Sequence, residues 1–309
     1  MPRNKISVIG AGNVGATAAL RIAELNLGDI VLFDVVEGKP QGVALDISQC
    51  TALAGFQGTI TGTNSDADMA GSDLVIITAG LPRKPGMTRE QLLDVNAGIV
   101  GPVAKRVAEH SPDAILMVVT NPLDAMCYAA WTQSGLPKER VLGMAGVLDT
   151  SRFRLFAGRE LGVAPEKIQA LVLGSHGDEM VPVISAATVD GKPLTDMLEA
   201  EKIQTLVART QNGGAEIVGL LKTGSAYYAP GFSIAEMADA ILNDRKTLLP
   251  CSCLLQGEYG QNDVFMGVPA VLSRHGVEKI VEIMMSDEEK AAFDVAAEKI
   301  KALQAGLAS

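Results

Sequence analysis

The sequence predicts an α/β fold, with a doubly wound parallel sheet in the first half of the chain and an α+β region after it. Short apolar runs alternate with helical stretches up to about Gly143, and this alternation is typical of parallel strands joined by helices. The first run leads directly into the glycine cluster Gly10–Gly15. After Asp149, longer helical segments and longer β-rich runs replace the alternating pattern.

The strands predicted in the first half are short runs of residues that favour extended backbone. In chain order they are Ile6–Ile9, Ile30–Phe33, Thr59–Thr61, Leu74–Thr78, Ile115–Val119 and Val141–Leu142. Thr88 to His110 has helical spacing, and Ser111-Pro112 ends it because the residue before a proline disfavours helix. We therefore predict a Rossmann-type domain over residues 1–145.

The second half, residues 146–309, is predicted to form an α+β substrate or catalytic domain. Its predicted elements are a helix at Asp149–Leu161, β-rich runs at Ile168–Leu173 and Val181–Ala186, helices around Ile203–Leu221 and Ile234–Asn243, β-rich runs at Lys246–Leu255 and Asp263–Leu272, and an amphipathic helix from Asp287 to about Leu303. Nothing near the boundary resembles a flexible linker, so we expect the halves to pack closely. Ligands of such sheets bind past the carboxyl ends of the strands.

The glycine cluster Gly10-Ala11-Gly12-Asn13-Val14-Gly15 predicts a dinucleotide site. Gly10 allows a tight turn, Gly12 lets backbone N–H groups approach a pyrophosphate, and Gly15 lets the next helix pack closely. The phosphates would lie at the positive N-terminus of that helix. Asp34 ends the second strand 19 residues past Gly15, the position of a carboxylate that binds ribose hydroxyls. Because a carboxylate repels a 2′-phosphate, we predict NAD rather than NADP.

Composition excludes several classes of partner. The 309 residues are 48% hydrophobic and 20% charged, which is enough apolar material for a large core. A net charge of −10 without any block of Lys or Arg argues against nucleic acid and anionic membranes, but not against a small anion. We expect no signal peptide and no membrane span, and hence a cytoplasmic protein.

The cysteines do not predict a metal site. Cys50, Cys127, Cys251 and Cys253 form no C-x-x-C pair, and buried free thiols are favoured over disulfides. Cys, His and carboxylate residues do not cluster at metal-ligand spacing, so no metal is predicted.

Two segments follow strands at the edge where a ligand is expected. The loop from Ala79 to Arg89 carries three cations, two prolines and two glycines, which favours a charged mobile lid over an ordinary solvated loop. An arginine there can bind a carboxylate with two parallel hydrogen bonds. Asn121 follows the fifth strand and predicts either a ligand contact or a helix cap.

Asp149, Arg152 and His176 are the strongest candidates for chemistry. Asp149 and Arg152 are three residues apart and share a helix face, so an intrahelical ion pair is the alternative if that face is exposed. His176 lies in Gly174-Ser175-His176-Gly177-Asp178, directly after an apolar strand, where an imidazole can face a cleft. Its ordinary pKa suits a general acid or base. His110 and His275 are expected at the surface.

These segments together resemble the lactate/malate dehydrogenase family, in order and spacing, over nearly the whole chain. The most specific are Leu148-Asp149-Thr150-Ser151-Arg152 and the segment around His176. The resemblance implies that His176 donates and accepts the proton, with Asp149 orienting its ring. It implies further that Arg152 binds the substrate's C1 carboxylate, that Arg89 polarises the carbonyl, and that Asn121 bonds the same oxygen or the nicotinamide side.

The same resemblance implies an NAD site and a substrate preference. Cofactor contacts are expected from the glycine cluster, Asp34, Thr78, Ala79, Gly80, Asn96, Val119 and Asn121. Arg83 stands where the family's lactate enzymes carry glutamine and its malate enzymes carry an arginine that pairs with a second carboxylate. Thr223-Gly224-Ser225-Ala226 resembles the small-residue pattern of the malate enzymes. The substrates implied are malate and oxaloacetate.

Two alternatives remain at this point: an L-lactate dehydrogenase, and a non-catalytic NAD-sensing protein. A sensor would not need the histidine, the aspartate and the three arginines. The family also implies a homo-oligomer, with a tetramer favoured over a dimer. Gln41–Leu53 and the C-terminal helix are the candidate subunit faces.

Overall fold

The computed structural model describes residues 3–82 and 87–307. The elements of its first half are β1 (Lys5–Ile9), α1 (Asn13–Glu24), β2 (Asp29–Phe33), α2 (Lys39–Gln49), α3 (Thr51–Ala54), β3 (Ile60–Thr63), β4 (Leu74–Ile77), α4 (Arg89–His110), β5 (Ile115–Val118), α5 (Leu123–Ser134) and β6 (Val141–Gly143). Every strand predicted from the sequence in this half is present, with ends that differ by one or two residues.

The first six strands form a parallel sheet in the order β3-β2-β1-β4-β5-β6. The order reverses between β1 and β4, and this switch point is where open α/β sheets bind ligands. The central strands β4 and β5 are buried on both faces, because helices cover them, and so they consist of continuous apolar residues. The Rossmann-type sheet predicted from the sequence is therefore confirmed.

The second half adds both helices and strands. Its elements are α6 (Gly146–Leu161), β7 (Ile168–Gln169), β8 (Val172–Gly174), β9 (Met180–Pro182), β10 (Thr188–Val189), β11 (Lys192–Pro193), α7 (Ala200–Leu221), α8 (Tyr228–Leu242), β12 (Thr247–Gln256), β13 (Asn262–Ser273), β14 (Gly276–Ile280) and α9 (Asp287–Ala305).

The large sheet continues from the first half into the second. Beyond β6 the order is β12-β13-β8-β9, all antiparallel, with β14 paired to β13. The junction pairs Gly143 with Ser252, and a Cβ on Gly143 would lie 2.9 Å from the Ser252 Cβ. A glycine is needed here because the strands approach too closely for a side chain. The halves are thus packed on one another, as the missing linker had indicated.

The second half departs from the sequence prediction in its details. The run Ile168–Leu173 is divided between β7 and β8, which belong to different sheets. β9 ends at Pro182, and Ile184–Ala186 forms a 3₁₀ turn instead of continuing the predicted run. β14 was not predicted, because the charged residues of Gly276–Ile280 give it no alternating pattern.

α8 begins at Tyr228, six residues before the predicted start at Ile234, even though Pro230 and Gly231 follow. Proline is tolerated in the first turn of a helix, where its missing N–H has no partner in any case. Gly231 packs against α1, since a Cβ there would lie 2.5 Å from the Thr17 Cγ2. Tertiary packing thus overrides the local breaker signal.

Capping explains where α4 and α9 begin. Thr88 and Gln91 form a capping box at the start of α4, in which each side chain bonds the other residue's backbone N–H. Ser286 and Glu289 do the same for α9. These reciprocal bonds satisfy N–H groups that have no partner within the helix.

We predict that Gly15→Ala destabilises the fold strongly, whereas Gly12→Ala destabilises it only slightly. A Cβ on Gly15 would lie 1.9 Å from the Gly10 carbonyl oxygen, so α1 would have to move away from the turn. The expected loss is about 3 kcal/mol or more in the free energy of unfolding. Within the described residues nothing lies within 4 Å of a Cβ on Gly12, so that variant should lose about 1 kcal/mol. Urea unfolding of both variants measures the difference, and equal losses would contradict this packing.

Candidate active site

A cleft of about 360 Å³ lies at the carboxyl ends of the parallel strands, between the two halves of the chain. Residues predicted from the sequence line it from both sides: Val14, Val119, Asn121, Arg152 and His176. A larger crevice of about 760 Å³ lies at the opposite edge, among residues that precede the strands, and contains none of the predicted site residues. The smaller cleft is therefore the candidate functional site.

Asp149 bridges Arg152 and His176 within this cleft. Its Oδ2 lies 2.7 Å from the His176 Nδ1, and its Oδ1 accepts a hydrogen bond of 2.9 Å from the Arg152 Nη1. The Asp149 side chain is only 2% exposed, while those of Arg152 and His176 are 13% and 15% exposed. The ion pair of Asp149 and Arg152 is thus real but buried, and the surface alternative does not apply.

The first turn of α6 places Asp149 against the sheet. A Cβ on Gly146 would lie 2.7 Å from the Pro250 Cβ, so only glycine lets the helix begin this close to β12. Thr150 Oγ1 accepts the backbone N–H of Val172 at 3.0 Å, which ties α6 to β8. These contacts bring α6 and the end of β8 together.

His176 reaches the cleft from the connection between β8 and β9. β8 ends at Gly174, whose φ of +83° turns the chain and favours glycine. A Cβ on Gly267 would lie 2.7 Å from the Gly174 carbonyl oxygen, so β13 also approaches closely here. The glycines on this strand pair hold the connection near the sheet.

The environment of His176 favours its charged form. Burial by itself would lower the pKa of the imidazole, but the charge and hydrogen bond of Asp149 outweigh burial and raise the pKa above its usual value. Because the ionised Asp149 only accepts, the Nδ1 must donate to it. The Nε2 of His176 is then the nitrogen that can exchange a proton in the cleft.

Two glycines of α7 support Arg152. A Cβ on Gly213 would lie 3.1 Å from the Arg152 Cδ, and one on Gly214 would lie 3.7 Å from the Nη2. Glycine in a helix interior costs about 1 kcal/mol relative to alanine, but a side chain at Gly213 would press on Arg152, whereas one at Gly214 would make only an ordinary contact. The guanidinium bonds Asp149 and lines the cleft, where its remaining N–H groups can bind a carboxylate.

The glycine cluster lies on the opposite side of the cleft, which Val14 lines. Gly10 has φ +109°, and Gly12 is the N-cap of α1 without a side-chain cap among the described residues. The space beside Gly12 is open, and the first N–H groups of α1 point outward from the helix. This arrangement fits a pyrophosphate at a helix N-terminus.

Asp34 lies at the end of β2, next to the glycine turn. It accepts hydrogen bonds from the backbone N–H groups of Ala11 at 2.8 Å and Val36 at 3.0 Å, and from the Lys39 Nζ at 3.1 Å. Burial alone would raise the pKa of Asp34, but these bonds outweigh it and hold the pKa below its usual value. An ionised carboxylate at this position fits a ribose with free hydroxyls.

Thr78 and Asn96 stabilise the loops beside the glycine turn. Thr78 Oγ1 lies 3.1 Å from the carbonyl oxygens of both Ile9 and Gly10, which share its single proton. Asn96 exchanges two hydrogen bonds with the Leu81 backbone, at 2.8 Å and 3.1 Å, and donates to the Asn121 carbonyl at 2.6 Å. The amide of Asn96 is therefore engaged by the chain itself and supports the loops after β4 and β5.

The remaining residues predicted for the site differ in where the structure places them. Gly80 lies where these loops meet, since a Cβ there would be 2.4 Å from the Thr120 Cγ2, and Ala79 accepts the Thr120 hydroxyl at 2.7 Å. α5 has Pro122 as its N-cap without a side-chain hydrogen bond, so the interpretation of Asn121 as a helix cap is not supported. Arg83 lies outside the described residues, as does the side chain of Arg89.

The structure adds residues that the sequence analysis did not find. Asp124 accepts the backbone N–H of His176 and the hydroxyl of Ser252, and Gly213 contacts Arg152. Gln211 donates to the Met180 carbonyl at 3.0 Å and lines the cleft. Asp124 follows Asn121 by three residues, so its place after β5 could have pointed to it. Ser252, Gln211 and Gly213 reach the site only because β12 and α7 pack there, which the sequence does not show.

The part of the chain that the structure describes offers neither a membrane span nor a metal site. No helix there is long and apolar enough to cross a membrane. In residues 3–82 and 87–307, no group of three or more His, Cys, Asp or Glu side chains is placed to hold a metal ion. Three of the cysteines, Cys127, Cys251 and Cys253, are buried free thiols, while Cys50 is half-buried.

Comparison with known proteins gives matches to both halves of the chain. Residues 4–143 match the lactate/malate dehydrogenase NAD-binding domain, and residues 146–307 match the α/β C-terminal domain of the same family. The malate dehydrogenase of Desulforudis audaxviator strain MP104C is 51% identical over 307 residues, which cover 99% of each chain.

Solved structures of relatives have the same fold. The malate dehydrogenase of Cryptosporidium parvum superimposes with a TM-score of 0.96 at 48% identity, covering 99% of both chains. The lactate dehydrogenase of Cryptosporidium parvum, solved with lactic acid and nicotinamide adenine dinucleotide, gives a TM-score of 0.97 at 40% identity, covering 100% of this chain and 99% of that one.

The fold and the site define an NAD-dependent dehydrogenase. They combine a Rossmann-type sheet with a glycine turn, an acidic residue at the end of β2, and a histidine–carboxylate pair in the adjoining cleft. Within that class, the two domain matches and the relatives settle the family. The chain belongs to the lactate/malate dehydrogenase family.

We predict opposite effects of two substitutions on the pKa of His176. Asp149→Asn should lower it, because the charge and hydrogen bond that raise it are weakened. Arg152→Gln should raise it, because the guanidinium opposes the imidazolium. NMR titration of histidine-labelled protein measures both, and His176→Asn assigns the signal among the three histidines. A pKa of His176 that is the same in both variants and the wild type would contradict this electrostatic description.

Proposed function

We propose that the chain is an NAD-dependent malate dehydrogenase, which interconverts (S)-malate and oxaloacetate. The observation that carries this proposal is the bridge from Asp149 to both His176 and Arg152, in a cleft beside the N-terminus of α1. A proton-exchanging group and a carboxylate-binding group are thereby held at a fixed separation. The 51% identical relative from Desulforudis audaxviator carries the name malate dehydrogenase and supports the same substrate.

In the oxidation direction, neutral His176 takes the proton of the C2 hydroxyl of malate at its Nε2. A bound NAD would supply the acceptor for the hydride that leaves C2, and a bound NADH would supply that hydride in the reverse direction. In the reduction direction, His176 must begin protonated, and it returns the proton to the carbonyl oxygen of oxaloacetate. Since Asp149 raises the pKa of His176, the protonated form persists to higher pH, and reduction slows as the pH rises through that pKa.

Arg152 would hold the C1 carboxylate of the substrate through two parallel hydrogen bonds. In the proposed arrangement Arg89 polarises the carbonyl and Asn121 bonds the same oxygen or the nicotinamide side, as the family resemblance implies. Arg83 would pair with the second carboxylate of malate or oxaloacetate. Facing the methyl group of pyruvate, the same arginine would be an uncompensated charge in a closed site, which costs several kcal/mol.

The wall opposite the α6 face is the proposed cofactor site. Gly10, Ala11, Gly12, Asn13, Val14 and Gly15 would surround the pyrophosphate, and Asp34 would accept hydrogen bonds from the adenosine ribose. Thr78, Ala79, Gly80 and Asn96 would shape the loops along the cofactor, with Val119 and Asn121 near the nicotinamide. Of these, Val14, Val119 and Asn121 line the cleft itself.

Lactate dehydrogenase is the nearest rival, since a lactate enzyme is among the structural relatives. Besides Arg83, the segment after α7 favours malate. Ser225 and Ala226, two small residues, line the cleft and leave room for a larger substrate. An NAD sensor would have no use for the buried triplet of Asp149, Arg152 and His176.

Several wider properties are proposed with the activity. The chain would divide into an NAD-binding domain, residues 1–145, and a catalytic domain, residues 146–309, and would function in the cytoplasm. It would assemble as a homotetramer rather than a dimer. Leu45 and Leu53, which are 62% and 91% exposed, support the segment Gln41–Leu53 as a subunit face. The argument for α9 as the second subunit face is weaker, because its apolar residues Phe293 and Ile300 are buried in the core of the chain itself.

Replacing the histidine tests the proposed chemistry. His176→Asn should reduce turnover of oxaloacetate by roughly 10²- to 10⁴-fold, because a general acid and base is lost. NADH affinity, measured by fluorescence titration, should stay unchanged. His275→Asn, in an exposed turn, is the matched control and should keep full turnover. Equal loss of turnover and NADH affinity would assign His176 a structural role instead.

Replacing the lid arginine tests the substrate. Arg83→Gln should lose most activity on oxaloacetate and gain some on pyruvate, because the charge that recognises the second carboxylate is removed. Lys84→Gln removes the neighbouring cation and should leave the substrate preference as it is. Initial rates with both keto acids measure the effect, and an unaltered preference in Arg83→Gln would refute the assigned role.

A further inference from the structure

Asp124 is a buried carboxylate next to His176. It is the second residue of α5, and it is 5% exposed. Its Oδ2 accepts the backbone N–H of His176 at 3.1 Å, and its Oδ1 accepts the hydroxyl of Ser252 at 2.7 Å. One side chain therefore connects α5, the connection between β8 and β9, and β12.

Ser252 fixes the position of this carboxylate. It is fully buried in the middle of β12 and pairs with Gly143 of β6, at the junction of the two halves of the sheet. Its hydroxyl therefore projects from a strand held on both sides. The sheet, rather than a loop, determines where the Asp124 carboxylate lies.

The hydrogen bond to the His176 backbone matters because the surrounding connection is short and has a glycine on each side of the Ser175-His176 pair. β8 ends at Gly174, β9 begins at Met180, and Gly177 follows the histidine directly. A displacement of the His176 backbone would redirect its ring, whose Nδ1 must stay 2.7 Å from the Asp149 Oδ2. Asp124 restrains the backbone while Asp149 restrains the ring.

The charge of Asp124 also bears on His176. Burial raises the pKa of Asp124 to about 6, against the hydrogen bonds from Ser252 and His176, and the charge of Asp149 adds to the rise. A carboxyl whose pKa is raised stabilises the fold when protonated, and that contribution disappears as the pH rises through about 6. An ionised Asp124 therefore lowers stability at neutral pH, so packing alone does not explain it. The Cys127 thiol, whose own pKa is raised by burial and by this carboxylate, also faces it.

We propose that Asp124 is a positioning residue for proton transfer at His176. Its hydrogen bond fixes the backbone, and its negative charge, together with that of Asp149, stabilises the imidazolium against the positive charge of Arg152. Ser252 holds Asp124 in place for both roles. The inference rests on the function proposed above and extends it to a buried residue that acts through the histidine.

Asp124→Asn separates the charge from the geometry. The amide oxygen can accept the His176 N–H while the amide nitrogen donates to the Ser252 hydroxyl, so both hydrogen bonds can be retained without the charge. We expect the pKa of His176 to fall in an NMR titration. The decline of oxaloacetate reduction at high pH should move to lower pH by the same amount, with KM for NADH unchanged.

Ser252→Ala tests the positioning directly. Without the hydroxyl, the carboxylate loses its link to the sheet, and kcat should fall roughly 10- to 100-fold through misplacement of His176, with NADH affinity unchanged. Ser7→Ala is the matched control. Ser7 is likewise fully buried in a central strand, and its hydroxyl bonds the Ser72 hydroxyl at 2.8 Å, so it loses a similar hydrogen bond. Its kcat should match that of the wild type.

The outcomes separate this inference from the proposed function. An unchanged pKa of His176 in Asp124→Asn, or a wild-type kcat in Ser252→Ala, would overturn the inference while leaving the malate dehydrogenase activity intact. The NMR titration needs no turnover. If the unmodified protein reduces no oxaloacetate but Asp124→Asn still lowers the pKa of His176, the proposed function is rejected and the coupling between Asp124 and His176 stands. If Asp124→Asn does not fold, Ser252→Ala still decides.

Discussion

The Asp149 carboxylate lies 2.7 Å from the His176 Nδ1 and 2.9 Å from the Arg152 Nη1, and much of the surrounding structure serves to bury it there. An isolated buried carboxylate would be very unfavourable, and removing one partner of such a cluster typically costs 3–5 kcal/mol. Both oxygens are therefore occupied by positively charged or chargeable groups. The same two bonds orient the imidazole and the guanidinium, so the contacts that stabilise the buried charge also arrange the site.

The sheet makes this cluster possible by running through both halves of the chain. β12 pairs with β6 at one glycine, and β13 pairs with β8 at another, so the connection that carries His176 is held at the edge where the parallel strands end. Three of these junctions require glycine: at Gly143, Gly146 and Gly267, an added Cβ would lie within 3 Å of a neighbouring atom. A cleft between two separate bodies would not be held this rigidly. The position of the proposed proton donor is thus a consequence of strand pairing.

Much of this could be read from the sequence, because the relevant signals are local. The turn at Gly10–Gly15 and the carboxylate at Asp34 lie within one βαβ unit, and Asp149 and Arg152 share one helix turn. Contacts between distant segments gave no such signal. Ser252 lies 128 residues from Asp124 in sequence, and Gly213 meets Arg152 only because α7 crosses α6. The unpredicted continuation of the sheet from β6 to β12 belongs to the same group, since it depends on a pairing of strands that no periodicity encodes.

The central claim is that this site reduces a dicarboxylic keto acid with NADH. It is tested most directly by initial rates of the unmodified protein with oxaloacetate and with pyruvate, each measured with NADH and with NADPH. We predict a preference for oxaloacetate over pyruvate of roughly 100-fold or more, since an uncompensated arginine in a closed site costs several kcal/mol, and a clear preference for NADH. Comparable rates with the two keto acids would contradict the assignment of malate as substrate, and no turnover with either would contradict the assignment of a dehydrogenase.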